Sequence, residues 1–591
     1  MNRKQRRAGT NKRRRKKANK TADGGHVHAN LADAWRHYQD GRLPPAEALC
    51  RELLEAEPDN PDANHLLGLI AQKAGHFAAA ADLVGRAVAA NPGNPVYHAH
   101  LGDLLQALGN PAAALAAYRR AIKIKPDFAE AHSNLGNTRQ TLGKIEDAIA
   151  AYRLAIEIRP DFADAHYNLG NALKESGKFS ESISAYQRAI EIIPDSTPAL
   201  GNLAALYESV NRLDEAKSTV ARGLDFFPED PLLNLTAAKL ERRRKRHRRA
   251  IARLAGLPRA NLSPAFEMGI HFELGQLHDR AGDSGEAFAH FSEANRLQCR
   301  TPQARNADKN RYLREIETLG ARFTPDWVGS WTPTPPLDGE ISPIFMIGFP
   351  RTGTTLLEHI LAGHPRLRTI EEQPTISEAR REISTFPEGY PRALAGLAPA
   401  RIEHLRSIYF QAVDMFIDRR AGDLFVDKMP LNIVDAGLIW RLFPAAKFIV
   451  TVRHPCDVCL SCFMQAFDIN DPMANFFSLE DSARLYAEVM ELWRRYLRVL
   501  PLIHHVVRYE DLVEDLEGEA RRLVEFLGLE WDPAVLGYAE RAKRRGKIQT
   551  PSYHQVTEPI YRRARYRWRR YAGHLRPVMA TLAPYIEEFG Y

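Results

Sequence analysis

From about residue 31 onward, apolar and small residues recur at helical spacing in short blocks that glycine and proline separate. In ADAHYNLGNALKESGKFSESISAYQRAIEIIPDS (163–196) two such blocks flank Gly177 and Pro194 closes the stretch, so the unit is predicted to be two helices. Prolines at 58, 92, 126, 160, 194 and 228 and glycines at 41, 75, 109, 143 and 177 share a step of 34 residues. A fixed period of that length marks a stack of helix pairs, each burying its apolar face only against its neighbours. Leu67-Gly68, Leu101-Gly102, Leu135-Gly136 and Leu169-Gly170 let helices approach closely. Tyr118, Tyr152 and Tyr186 fill the space between units, and Ala121, Ala155 and Ala189 leave room for them. A divergent unit containing RRRKRHRR (242–249) and one more unit at 264–298 extend the array, which is expected over 31–320 as a right-handed stack with a concave face.

This pattern resembles the tetratricopeptide repeat. Asn134, Asn168 and Asn202 stand one period apart and form a line, with Asn137 and Asn171 as a second line beside it. Primary amides both donate and accept, which suits the backbone of an extended polypeptide. The arrangement is similar to the asparagine ladder of O-linked N-acetylglucosamine transferases and implies a protein or peptide partner in the groove. The same amides also fit a solvated face or local helix contacts.

The helical pattern breaks at 322–343, RFTPDWVGSWTPTPPLDGEISP, where five prolines predict a linker (321–341). IFMIGFPRTGTTLLEHILAGHP (344–365) then reads as a buried strand, a Gly/Pro/Thr-rich turn and an amphipathic helix. Strand, loop and helix N-terminus in that order cradle an anion with backbone N–H groups and the helix dipole. A nucleotide kinase would carry G-x-x-x-x-G-K-[ST] at this point. The lysine is absent, and Arg351 stands in the loop instead, a planar donor fork suited to a phosphate and a sulfuryl group.

On these residues the chain resembles the sulfotransferases that use 3′-phosphoadenosine 5′-phosphosulfate, above all the tyrosylprotein sulfotransferases and bacterial proteins that join tetratricopeptide repeats to such a domain. The resemblance implies an all-α tetratricopeptide solenoid followed by an α/β P-loop-like sulfotransferase domain (342–591) with a mainly parallel sheet. It assigns Arg351, Thr352, Gly353, Thr354 and Thr355 to the 5′-phosphosulfate, and Arg453 and Ser461 in FIVTVRHPCDVCLSCF (448–463) to the 3′-phosphate. A charged donor and a hydroxyl at a helix N-terminus converge on an anion there. Tyr509 in VVRYEDLV (506–513) becomes a nucleotide contact or a packing residue. Glu372 in HPRLRTIEEQP (364–374) aligns with the family's base, with Glu371 and His554 as alternatives. Since a phenol titrates near 10 and a free glutamate near 4.3, such a base needs burial or nearby cations. The resemblance supplies Lys428, in VDKMP (426–430), and Ser552 for the bridging oxygen, and needs no metal. PIYRRARYRWRRY (559–571) resembles the family's nucleotide-covering loop and points to Arg567, but Tyr566 stands where a small residue, commonly glycine, precedes the Arg-Trp pair.

The implied reaction is sulfuryl transfer to a hydroxyl, first a protein tyrosine, second a carbohydrate or lipid. A scaffold that binds nucleotide without turnover is the competing reading. Charge changes this picture little: the +8 of the chain is exceeded by the six Arg and five Lys of residues 1–20, so the body is weakly acidic. Residues 1–30 are predicted to be a basic disordered tail, able to touch RNA or anionic membrane. With five cysteines in 591 residues, no apolar run of ~18 or more and no apolar core behind the basic N-terminus, the expected location is cytoplasmic. Cys456, Cys459 and Cys462 are expected to be small buried helix residues, and a homodimer is compatible with the sequence.

Overall fold

The computed structural model describes residues 30–260, 262–337, 342–419, 423–544 and 564–591. Among these, no helix is long and apolar enough to cross a membrane. The basic tail, Ser552, His554 and residues 559–563 of the arginine-rich segment lie outside the described residues.

The 34-residue period appears as helix pairs: Pro61–Lys73 with Phe77–Ala90, Pro95–Ala107 with Pro111–Ile124, Ala129–Thr141 with Ile145–Ile158, and Ala163–Glu175 with Phe179–Ile192. Each turn needs a left-handed residue, and Gly75, Gly109, Gly143 and Gly177 supply it at φ 73–81°. One and two periods further on, the same position holds Asn211 and Lys245, at φ 62° and 59°. The tyrosines pack as their spacing predicts. A Cβ on Gly102, Gly136 or Gly170 would lie 2.6 Å from a ring carbon of Tyr118, Tyr152 or Tyr186. The ring hydroxyls donate to Asp103, Asn137 and Asn171 at 2.6–2.7 Å. Gly136→Ala is therefore expected to destabilise the array by about 1–3 kcal/mol through overpacking, measured as a lower denaturation midpoint at unchanged m-value.

The asparagine lines are partly consumed inside the array. Asn134 Nδ2 donates to Asp103 (2.8 Å), and Asn202 Nδ2 donates to Asn171 (3.1 Å) and the Tyr167 hydroxyl (3.0 Å).

The chain divides into two compact units, one reaching to Tyr207 together with Ser218–Phe227, the other made of Glu208–Lys217 and Pro228–Tyr591. In the second unit, the repeat helices Pro264–Ala281 and Ser284–Gln298 pack through Gly275 against Phe291. Asn295 and Gln298 donate to the carbonyls of Phe463 and Phe467, both at 2.9 Å. The proline-rich stretch is held closely. Arg441 donates to the Thr332 carbonyl (2.7 Å), Arg406 to the Pro335 carbonyl (2.8 Å), and Phe323 fills the space at Gly437.

The rest of this unit is built on five parallel strands, β1 (Ile344–Gly348), β2 (Leu367–Glu371), β3 (Leu424–Lys428), β4 (Lys447–Val452) and β5 (Ile503–Arg508), in the order β2-β3-β1-β4-β5. β1 and β4 are buried on both faces, as their unbroken apolar runs predict. Phe345, Ile347, Phe448 and Val450 feed one core, while Ile344, Met346 and Ile449 join Leu357, Leu523 and Val507 in the other. The fold is thus an all-α repeat array followed by an α/β domain on a parallel sheet. In such sheets ligands bind outside the carboxyl ends of the strands where the strand order reverses, here beside β1.

Candidate active site

Each element of the site follows the carboxyl end of one strand. After β1 the chain turns through Phe349–Gly353 into the helix Thr354–Leu361. Gly348 cannot carry a side chain, because a Cβ would stand 2.6 Å from the Thr451 carbonyl. Gly353, at φ 104°, lets the Tyr509 ring approach to 2.7 Å of where its Cβ would be and offers the helix no side-chain cap. A helix N-terminus of this kind presents first-turn N–H groups and the positive end of the helix dipole to an anion. Thr352 Oγ1 donates to the Phe349 carbonyl (2.7 Å) and meets Thr451 Oγ1 at 2.6 Å, tying the loop to β4. Thr354 and Thr355 are buried at the start of the helix.

Arg351 takes a left-handed conformation at φ 73°, costly for any residue but glycine. Its Nε donates to Ser461 Oγ at 3.2 Å, and its carbonyl accepts from Arg453 Nη1 at 3.2 Å. The loop and the predicted second anion site are therefore one connected structure. Arg453 lies directly after β4, its guanidinium 4.9 Å from the Tyr509 ring and 3.7 Å from the buried Asp457. Ser461 corrects the sequence reading: it sits near the carboxyl end of the helix Pro455–Phe463, not at its N-terminus. It reaches the loop through Arg351 rather than through the helix dipole.

β2 and β3 present the second half of the site. Lys428 ends β3 fully buried, with Glu372 Oε1 at 2.8 Å, Glu358 Oε2 at 3.2 Å and Glu371 Oε1 at 3.7 Å. Burial opposes its charge, but the carboxylates of Glu358, Glu372 and Glu371 outweigh that cost and hold its pKa above the ordinary lysine value. Glu372 has φ 48°, and its N–H donates to the Lys428 carbonyl at 2.8 Å, which fixes the carboxylate against the ammonium. At 36% exposure its side chain is the most open of the three acids. Glu358, absent from the sequence prediction, is buried in the middle of the helix after the loop. A lone acid among TTLLEHIL was the available signal.

Asp427 points the other way along β3. Burial raises its pKa from the ordinary 3.8 to about 6, against hydrogen bonds from Thr375 and Tyr409. The native state then holds this proton more tightly than the unfolded chain, so the contribution to stability is complete below about pH 4 and is lost as pH rises through about 6. Asp427→Asn is expected to remove that loss, raising stability at pH 7 by up to about 3 kcal/mol with no gain at pH 3.5, as read by denaturation at both pH values.

The remaining predicted residues fall as follows. Arg567 lies 3.4 Å from Asp279, a repeat residue that also accepts from Arg570 (3.0 Å) and the Tyr571 hydroxyl (2.7 Å). Tyr566 adopts φ 54°, the conformation for which glycine is suited. The following Trp568 stacks on His454 at 4.9 Å, and its backbone N–H donates to Asp457 at 2.7 Å, so the segment is docked on the helix carrying Ser461. His454 is structural: its Nδ1 accepts from Cys456 N at 3.2 Å, and burial, then Arg453 and Arg569, lower its pKa to about 4. His364 likewise donates to the Glu530 carbonyl at 2.9 Å. Cys456, Cys459 and Cys462 are buried, with burial pushing the Cys456 thiol up to about 12.

Comparison with known proteins places the two halves separately. Residues 343–533 match the model of a sulfotransferase family, and residues 37–104, 102–143, 141–177 and 163–196 match tetratricopeptide repeat models. An uncharacterized protein of Aquifex aeolicus is 29% identical over 328 residues, 53% of this chain and 41% of its own length. The chain thus spans less than half of that relative. Protein-tyrosine sulfotransferase 2 of Gallus gallus is 25% identical over 268 residues, 43% of this chain and 70% of the chicken protein. Among solved structures, MamA is 24% identical with a TM-score of 0.26, covering 27% of this chain and 93% of its own.

Proposed function

Because the chain joins tetratricopeptide repeats to a domain of the sulfotransferase family, we propose that it transfers a sulfuryl group from 3′-phosphoadenosine 5′-phosphosulfate to a hydroxyl, with a protein tyrosine as the acceptor and the repeats recruiting it. The observation that carries this reading is the link from Arg351 to Ser461 and Arg453, which joins a helix-terminus anion cradle to a second cationic site. A nucleotide phosphorylated at both the 3′ and 5′ positions fits that pair of sites. The donor set Arg351, Arg453 and Ser461, with the first-turn amides, suits two tetrahedral anions without a lysine at the P-loop position.

In this mechanism the acceptor oxygen attacks sulfur as its proton passes to the Glu372 carboxylate. The bond from sulfur to the 5′-phosphate oxygen breaks, releasing 3′-phosphoadenosine 5′-phosphate. Lys428, held charged by its three carboxylates, stabilises the negative charge that grows on the bridging oxygen. A tyrosine acceptor is favoured because Glu372 and Lys428 meet as an ion pair at the ends of β2 and β3 and share the resemblance to the tyrosylprotein branch. Ser552 would serve the same oxygen but lies outside the described residues.

The test uses sulfur-labelled donor with a tyrosine peptide, an oligosaccharide and a lipid alcohol as acceptors. Label is expected on the tyrosine peptide. Label on a sugar or lipid alone would reassign the acceptor and keep the chemistry. Retained nucleotide binding with no turnover on any acceptor would favour the scaffold and overturn the enzymatic reading.

A further inference from the structure

Arg453 and Ser461 also line a cavity of about 420 Å³ whose other walls include repeat residues, among them Lys245, Gln276 and Arg280, all within one compact unit. That volume lies in the range of small-molecule sites. Five fixed cations line it, Lys245, Arg280, Arg453, Arg567 and Arg570, against one carboxylate, Asp279. Asp279 is already divided between Arg570 and the Tyr571 hydroxyl, with Arg567 nearby. A concave site with that excess of positive charge concentrates anions.

Lys245 adds an independent observation. It occupies the turn position that glycine fills in Gly75, Gly109, Gly143 and Gly177, and it keeps the left-handed backbone at φ 59°. The turn itself asks for glycine, so a lysine carries strain there without serving the turn.

We propose that the repeats complete the nucleotide site, with Lys245 and Arg280 joining Arg453 and Ser461 around the 3′-phosphate of the donor. This rests on the sulfotransferase reading above and extends it: the repeat array binds the donor as well as any acceptor. A phosphate monoester carries nearly two negative charges at neutral pH, which a cluster of fixed cations matches.

The experiment is calorimetric titration of the full chain with 3′-phosphoadenosine 5′-phosphate and with adenosine 5′-phosphosulfate, which lacks the 3′-phosphate. Wild type is compared with the double variant Lys245→Gly, Arg280→Ala, and with Arg246→Ala, a neighbouring exposed cation outside the cavity lining. Glycine suits the turn, so the first substitution relieves the backbone. The double variant is expected to lose at least tenfold in affinity for the bisphosphate and less than twofold for adenosine 5′-phosphosulfate, with Arg246→Ala unchanged for both. A double variant that binds the bisphosphate as wild type does, while wild type still prefers it, would overturn the role of the repeats and leave the sulfotransferase reading standing. A wild-type chain with no preference between the two ligands would overturn both.

Discussion

Glu372→Gln is expected to lower the rate of sulfuryl transfer by about 10²-fold or more while changing the affinity for 3′-phosphoadenosine 5′-phosphate less than twofold. The amide keeps the shape of the side chain but has no basic oxygen to take the acceptor proton. Lys428→Met is expected to cost at least as much in turnover, because the growing charge on the bridging oxygen loses its buried cation. It is also expected to cost stability, since Glu358, Glu371 and Glu372 are left facing one another without the ammonium they surround. Single-turnover kinetics and thermal unfolding on the same samples separate the two losses. Wild-type turnover in Glu372→Gln would move the base to Glu371 or to His554.

The second large effect is on nucleotide selectivity. Arg453 is nearly buried and holds the Arg351 carbonyl, so its removal takes away a charged donor and loosens the loop together. Arg453→Ala is expected to weaken binding of the 3′,5′-bisphosphate by about ten- to a hundredfold, corresponding to the ~1–3 kcal/mol of a charge-assisted hydrogen bond. Binding of ATP is expected to change little, which removes the wild-type preference for the bisphosphate. Titrations in the presence of a chelator measure both. Equal affinity of the wild-type chain for ATP would contradict the assignment of Arg453.

Much of this site was legible because a parallel sheet presents its chemistry in a regular place. Gly348, Glu371, Lys428, Val452 and Arg508 end the five strands, and Arg351, Glu372, Lys428, Arg453 and Tyr509 stand at or just after those ends. The repeats were legible for a similar reason, since a Gly-Tyr contact recurring every 34 residues leaves a period in the sequence. The period faded where Asn211 and Lys245 replaced glycine, because backbone conformation is kept while the residue type that reveals it is lost.

What escaped the sequence depends on tertiary neighbours. Glu358 reads as one polar residue on an amphipathic helix, and only the approach of β3 turns it into a buried partner of Lys428. Ser461 was read from its distance after Arg453, which says nothing about which end of the helix it occupies. Arg351, Glu372 and Tyr566 share positive φ values, a strain that clusters at the site and has no signature in residue type. Proline content at 322–343 predicted a linker but said nothing of its tertiary contacts, and carbonyls of that stretch accept from buried Arg406 and Arg441.

The central claim is that one nucleotide bridges two anion sites joined by Arg351, and a crystal structure of the full chain with 3′-phosphoadenosine 5′-phosphate, grown without divalent metal, tests it most directly. The account predicts the 5′-phosphate on the backbone N–H groups of 351–355 and the 3′-phosphate on Arg453 and Ser461. A nucleotide whose 3′-phosphate lies away from Arg453 and Ser461, or whose 5′-phosphate leaves the loop after β1 empty, would contradict it.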